Sequence, residues 1–140
     1  MDRAAINFAS VNLEVIDINT NVSPDIYINS TGVTISRRVL EDMSYPQTVQ
    51  FCTNPSQRIF AIRICKSNES KAVTFSKPKG EQTSTLSLAN RNLYAMVTAL
   101  IPDYQLKSRY KVTGQYDAEG RTMYFDMASA EISEFRGVKA

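Results

Sequence analysis

The chain has 140 residues, 43% of them hydrophobic and 21% charged, values typical of one soluble globular domain. Its formal net charge of +2 gives no indication of bulk binding to nucleic acid. It has no His, which excludes Ser–His and Cys–His nucleophile pairs and imidazole metal ligands, and two Cys are too few for most zinc sites. We therefore expect no metal, no cofactor and no enzymatic activity.

The first part of the chain predicts two strands separated by a loop. Val11, Leu13 and Val15 alternate with polar residues, the period of a half-buried strand. Residues 19–25 are rich in turn-forming residues, and residues 26–29 again alternate.

Residues 33–65 predict a strand, a helix and a hairpin. The strand covers residues 33–36 and the helix residues 37–43, with the Ser36 hydroxyl as N-cap acceptor. Residues 47–65 alternate on both sides of an Asn-Pro-Ser turn, which indicates a hairpin. A tight turn places Cys52 opposite Ile59 or a neighbour, and not opposite Cys65, so we expect two free thiols in a reducing compartment.

Residues 66–84 are polar and basic and predict a loop, with a short strand at 73–75. Residues 85–88 predict a strand, 89–100 a helix and 108–127 a second hairpin. The helix carries one apolar stripe, formed by Leu93, Met96, Val97, Leu100 and Ile101. Residues 128–135 predict a short helix with Ile132 and Phe135 as its apolar contacts.

The same order of elements occurs twice, in residues 31–65 and 85–127. It predicts an α+β fold, mainly antiparallel β, with a barrel-like or strongly bent sheet and two to three short helices in one domain, residues 1–140. The alternative is that two such orders coincide by chance, since short strands and helices are common.

The first unit resembles a known family. The sequence Thr31-Gly32-Val33-Thr34-Ile35-Ser36-Arg37-Arg38, followed by a hairpin ending at Arg63, resembles the AbrB-type swapped-hairpin module of bacterial transition-state regulators and antitoxins. In that family a basic residue follows the Gly and a Pro begins the helix, whereas this chain has Val33 and Ser36. Only Gly32 matches by position. The resemblance implies a swapped-hairpin or cradle-loop-like barrel, and with the second unit a pseudo-dimer in one chain.

The charge is uneven along the chain. Residues 58–79 carry a net +5, from six basic residues against Glu69, whereas residues 1–30 carry −3. Arg37 and Arg38 at a helix start oppose the macrodipole, which favours an anion there. Tyr27, Phe75 and Tyr104 are candidates for stacking on bases. The candidate nucleic-acid contacts are Arg37, Arg38, Arg58, Arg63, Lys66, Lys71, Lys77 and Lys79, and the competing interpretation is an ordinary solvated surface.

Two functions follow as hypotheses. The first is a small, non-enzymatic nucleic-acid-binding regulator of transcription. The second is a protein-binding accessory factor or inhibitor, encoded by a phage or mobile element and directed at a host protein. The longest uncharged apolar run, residues 95–101, is far too short to cross a membrane, and the first residues lack the basic start and apolar core typical of a secretory signal. We expect a cytoplasmic protein that is either a monomer or a homodimer.

Overall fold

The computed structural model describes residues 8–15, 23–82 and 85–133 of the chain. Within these ranges the strands are β1 (Asp25–Asn29), β2 (Gly32–Ile35), β3 (Thr48–Asn54), β4 (Ile59–Ile64), β5 (Val73–Thr74), β6 (Leu86–Leu88), β7 (Tyr110–Asp117), β8 (Thr122–Asp126) and β9 (Glu131–Ile132). The α-helices of the same ranges are α1 (Arg37–Asp42) and α2 (Arg91–Thr98), and short 3-10 turns lie at Phe8–Ser10 and Met127–Ser129.

These strands form one antiparallel sheet that curls into a half-barrel. Its order is β5-β3-β4-β8-β7-β1-β2-β6, with β9 beside β7. The end strands β5 and β6 do not pair with each other, so the described part of the sheet stays open along one side. The predicted mainly antiparallel α+β class is confirmed, and so are the two hairpins, both α-helices and the short strand at 73–75.

Buried residues from both halves of the chain form one apolar cluster. Ile26, Ile35 and Ile62 are fully buried, as are Met123 and Phe125. Alternation explains this, because successive side chains of a strand point to opposite faces and only one face of each strand turns inward.

Two predicted elements are wrong. Residues 11–15 are not a half-buried strand: they are exposed and unpaired in the described structure, with Leu13 87% and Val15 99% exposed. The predicted helix at 128–135 is instead a 3-10 turn followed by β9, in which Ile132 pairs with Tyr110 and stays exposed. Phe135 lies outside the described residues. Both errors share a cause, since local pattern shows which face could be buried but not whether a neighbour covers it.

The strands of the two halves pair across the sheet. β2 pairs with β6, with Thr34 opposite Ser87, and β4 pairs with β8, with Ala61 opposite Tyr124. Neither half therefore has a sheet of its own.

The helix starts differ from expectation. Ser36 occupies the N-cap position of α1, but its hydroxyl makes no capping bond and is buried without a partner. Asn90 caps α2 instead, its side-chain oxygen accepting from the backbone N–H of Leu93. Cys52 lies opposite Ala61 in the first hairpin, and Cys52 and Cys65 are both free, as predicted.

Candidate functional site

A cavity lies at the open side of the half-barrel, between the end strands β5 and β6. Its volume is about 510 Å³, within the range of pockets that bind ligands. Residues of β3, β4, β5, β6 and α2 line it. Its apolar lining consists of Phe51, Phe60, Val73, Leu88, Leu93 and Met96, and its polar rim includes Thr53, Thr74, Ser87, Asn90 and Asn92.

Aromatic rings form the floor of this cavity. Phe51 stacks on Phe60 at a centroid distance of 5.9 Å, and Phe60 stacks on Phe125 at the same distance. Phe75 meets Phe51 edge-on at 6.0 Å. Because Phe60 and Phe125 are fully buried, the floor is continuous with the core and held in place by it.

Helix α2 forms one wall. Val97 is fully buried, whereas Met96 is 53% exposed and Leu93 only partly buried. The sequence predicts one buried stripe along this helix, but the structure buries only its C-terminal half. Leu93 and Met96 instead face an opening that no described element closes.

Both ends of α2 are fixed. At the start, the Asn90 side chain accepts from the Leu93 amide at 2.9 Å. Past the end, the Arg58 guanidinium donates to the Leu100 carbonyl at 3.1 Å and ties the helix to the turn between β3 and β4. Helix α2 is therefore held in position in the absence of a ligand, and such preorganisation reduces the entropic cost of binding.

Contacts among three tyrosines connect α2 with the loop that follows it and with β7. The Tyr94 and Tyr104 hydroxyls hydrogen-bond at 2.6 Å, and the Tyr104 ring lies 5.1 Å from that of Tyr110. Burial, together with the Tyr94 hydrogen bond, raises the pKa of Tyr104 well above its usual range. Its contacts with Tyr94 and Tyr110 hold the loop after α2 against the helix and against β7.

The rim offers hydrogen-bonding groups of two kinds. Ser87, Thr74 and Asn92 are exposed polar side chains. In addition, β5 pairs only with β3 and β6 only with β2 among the described strands, so each has an outer edge of backbone donors and acceptors. Such an edge is suited to pairing with another extended segment.

The candidate basic residues lie in several separate places. Arg58 is in the turn at one end of β4, and Arg63 lies near the other end. Arg37 and Arg38 belong to α1, where Arg38 forms an ion pair with Asp42 at 2.9 Å. α1 has only six residues, so its start offers little of a macrodipole for an anion.

Five of the eight lie in or beside the segments that flank β3 on the sides of β4 and β5: Arg63, Lys66, Lys71, Lys77 and Lys79. Gln50 links part of this group, since its amide oxygen accepts from Arg63 and its amide nitrogen donates to the Ser70 carbonyl beside Lys71. The backbone of the next loop is fixed to Pro46 by Ser76, beside Lys77. All five side chains are exposed.

The aromatic residues named as candidates for stacking on bases make contacts within the protein. Phe75 is 6% exposed and belongs to the core. Arg109 covers the Tyr27 ring at 4.0 Å, and Tyr104 is bound to Tyr94. Burial therefore removes Phe75 from the candidates for stacking on bases, whereas Tyr27 and Tyr104 are partly exposed and stay candidates.

In the part of the chain that the structure describes, no helix has the length and apolar character that crossing a bilayer would require. Over the same ranges, no group of three His, Cys, Asp or Glu residues comes together in a way that could hold a metal ion.

The sequence contained one signal for the cavity. The apolar stripe of α2 is longer than the part of the helix that is buried. Leu93 and Met96 belong to the stripe but are not buried in the core. The length of the stripe alone could not show which of its residues belong to the core and which to a binding surface, because their exposure depends on the gap between β5 and β6.

No protein-family model, curated protein or solved structure matches this chain.

Proposed function

We propose that this is a non-enzymatic binding protein that captures an extended segment of a protein partner at the open side of its half-barrel. The observation that carries the proposal is the cavity between β5 and β6, where an apolar floor lies beside two exposed strand edges. In strand addition, backbone hydrogen bonds to a free edge supply affinity, and pockets for alternate side chains supply specificity. This opening offers both features.

The unpaired Cys52 and Cys65 support action in a reducing compartment, for which we propose the cytoplasm.

We further propose that the body around the opening is a pseudo-repeat of the two β-α-β-β units at residues 31–65 and 85–127, each preceded by one more strand, β1 or β5, and related to the swapped-hairpin architecture. Reciprocal hydrogen bonds support it: the Ile64 amide donates to the Arg121 carbonyl, and the Met127 amide donates to the Arg58 carbonyl. Arg58 and Arg121 also close the two hairpin turns with the same left-handed φ, 56° and 54°. Each hairpin thus ends against the turn of the other.

The opening falls where the two units differ. β1 and β2 form a hairpin with a two-residue turn, whereas eleven residues separate β5 from β6. Had the second unit the same short turn, β5 and β6 would be neighbours and the barrel would close. The longer connection leaves a gap between β5 and β6. The binding site therefore exists because the two units differ in this connection.

Selection of random peptides displayed on phage tests the main proposal. We expect the wild-type protein to select peptides with apolar residues at alternate positions. Met96→Glu puts a charge in the cavity wall and is expected to weaken their binding by at least about tenfold, because a buried Met contributes about 1.5 to 3 kcal/mol.

Leu106→Glu is the matched control, since Leu106 is an exposed apolar residue that does not line the cavity. It should leave peptide binding unchanged. Failure to select any peptide, or equal binding by the Met96→Glu variant, would refute the proposal.

A second candidate function is nucleic-acid binding, favoured by the five exposed basic residues in and beside the segments around β3. Removing charge with Lys71→Gln, Lys77→Gln and Lys79→Gln should then weaken duplex DNA binding and reduce its salt slope by about 2 to 3. The control carries Arg91→Gln, Lys107→Gln and Arg121→Gln, which remove as many charges elsewhere. An unchanged affinity and salt slope in the first variant would exclude this candidate.

A further inference from the structure

The exposed segment of residues 11–15 has the pattern of a strand without a sheet to join. Val11, Leu13 and Val15 alternate with Asn12 and Glu14. Their exposed fractions are 45%, 87% and 99%, so the apolar face of this segment meets water. Burial of each of these side chains is favourable by about 1.5 to 3 kcal/mol, which gives the segment a reason to bind an apolar surface.

We propose that residues 11–15 bind in the opening of the same chain, as an additional strand on the outer edge of β6. Val11, Leu13 and Val15 would then enter the cavity between β5 and β6, while Asn12 and Glu14 face solvent. This goes beyond the proposed function, because the site acquires an internal occupant that competes with a partner.

The geometry of the sheet favours one direction for the added strand. Leu86 lies opposite Ile35, and Ile35 lies opposite Ile26, so the start of β6 is level with the start of β1. The chain must continue from the end of the segment into β1. A segment antiparallel to β6, with Val15 near Leu86, therefore has the shortest connection to β1, and we assign this direction to it.

The connection to β1 is long enough. The added strand would lie three strand spacings from β1, or about 15 Å. Residues 16–24 separate Val15 from Asp25, and nine residues can span about 30 Å when extended. Occupation by the same chain thus requires no second copy.

The chemistry of the two surfaces agrees. The cavity is lined on the β6 side by Leu88 and on the helix side by Leu93 and Met96, and none of them requires a polar partner. The outer edge of β6 supplies backbone hydrogen bonds to an extended segment. A segment with an aliphatic residue at every second position can place these side chains in the cavity while its backbone pairs with the edge of β6.

Disulfide trapping tests the placement. In a chain carrying Cys52→Ala and Cys65→Ala, Ser87→Cys is combined with Asn12→Cys or with Glu14→Cys, the two outward-facing neighbours that the alternative registers bring opposite Ser87. Directly opposed residues in antiparallel strands have the Cα separation that a disulfide needs. We expect mild oxidation to link one of these pairs within a monomer, detected by its mobility on a non-reducing gel.

The control combines each of the two segment cysteines with Gln115→Cys, an exposed position on β7 away from the opening. It should link far less than the Ser87 pair. Equal linking of the control would overturn the proposal, as would no linking of either Ser87 pair. A disulfide-linked dimer as the main product would assign the segment to a second copy and overturn the same-chain placement.

Hydrogen exchange of the wild-type chain provides a readout that needs no cysteine variant. Alternate amides of residues 11–15, those that would donate to β6, should exchange at least tenfold more slowly than in an unstructured peptide, and Leu13→Asp should abolish this protection. Unprotected amides in the wild-type protein would refute the proposal. Neither measurement involves a partner, so the proposed function can fail while this inference holds.

Discussion

Gly32 sits where β1 turns into β2, directly beside the backbone of β6. Its φ is +139°, which side-chain-bearing residues rarely adopt. A Cβ built there would collide with the Leu88 carbonyl oxygen and lie 3.2 Å from the Ala89 Cα, both backbone atoms that cannot rotate away. The structure thus gives a local physical reason for a glycine at this position, independent of any family resemblance.

Gly32→Ala should therefore lower the free energy of unfolding by about 3 kcal/mol, since it adds both backbone strain and overpacking. Urea denaturation measures the change. Gly80→Ala is the control, because a Cβ at Gly80 meets nothing within 4 Å, and it should change stability by less than about 0.5 kcal/mol. Equal losses in the two variants would contradict the assigned role of Gly32.

The Cys65 thiol is less acidic than an ordinary thiol. Partial burial raises its pKa most, and the carboxylate of Glu69 raises it further against the opposing effect of Arg63. The thiolate is the reactive form, so Cys65 should react slowly at neutral pH.

We expect Glu69→Gln, in a Cys52→Ala background, to lower the pKa of Cys65 and to speed its alkylation. Iodoacetamide labelling from about pH 7 to about pH 10 measures this, and the rate profile should shift towards lower pH. The control is Glu119→Gln, in the turn between β7 and β8. An unshifted profile in the Glu69→Gln variant would show that the carboxylate does not act on Cys65.

At the scale of elements, the two helices begin differently although both follow a polar N-cap residue. The Asn90 side chain satisfies the Leu93 amide, whereas the Ser36 hydroxyl is buried and makes no bond. Sequence identifies residues able to cap a helix, but the bond also requires a rotamer aimed at the first turn. The Ser36 side chain does not make this bond.

Asn90→Ala should cost about 1 kcal/mol, the usual value of a capping bond. Ser36→Ala should be neutral or slightly stabilising, because it removes a buried hydroxyl that has no partner. Thermal unfolding of the two variants compares them directly. A larger loss for Ser36→Ala than for Asn90→Ala would mean that the Ser36 hydroxyl is bonded in solution.

At the scale of the whole molecule, the pairing of β2 with β6 and of β4 with β8 joins the two halves of one chain. If the first unit needed a second chain to complete its sheet, as a swapped hairpin does, a dimer would be required. Here the second half of the same chain supplies the complementary strands.

Light scattering should therefore give the mass of a monomer, 15.7 kDa. The wild-type chain and the Met96→Glu variant should agree, because the opening is not expected to hold two chains together. A dimeric mass for the wild type alone would indicate that the opening joins two copies, and would redirect the search for a partner.

Much of the candidate site could not be read from the sequence. Leu93 and Met96 were correctly assigned to an apolar stripe, but their exposure follows from the gap between β5 and β6. The basic residues form a continuous excess along the chain, yet β4 separates Arg58 from Arg63 by the length of the strand. Linear charge density therefore overstated how closely they cluster.

The sequence by itself determined the local elements: both hairpins, both helices, the antiparallel α+β class and the free state of the cysteines. These features depend on alternation, turn residues and short-range spacing, all of which are local properties of the sequence. The tertiary structure alone decided which apolar faces are covered, because coverage depends on strands far apart in the chain. That is why Val97 became part of the core and Met96 became the wall of a cavity.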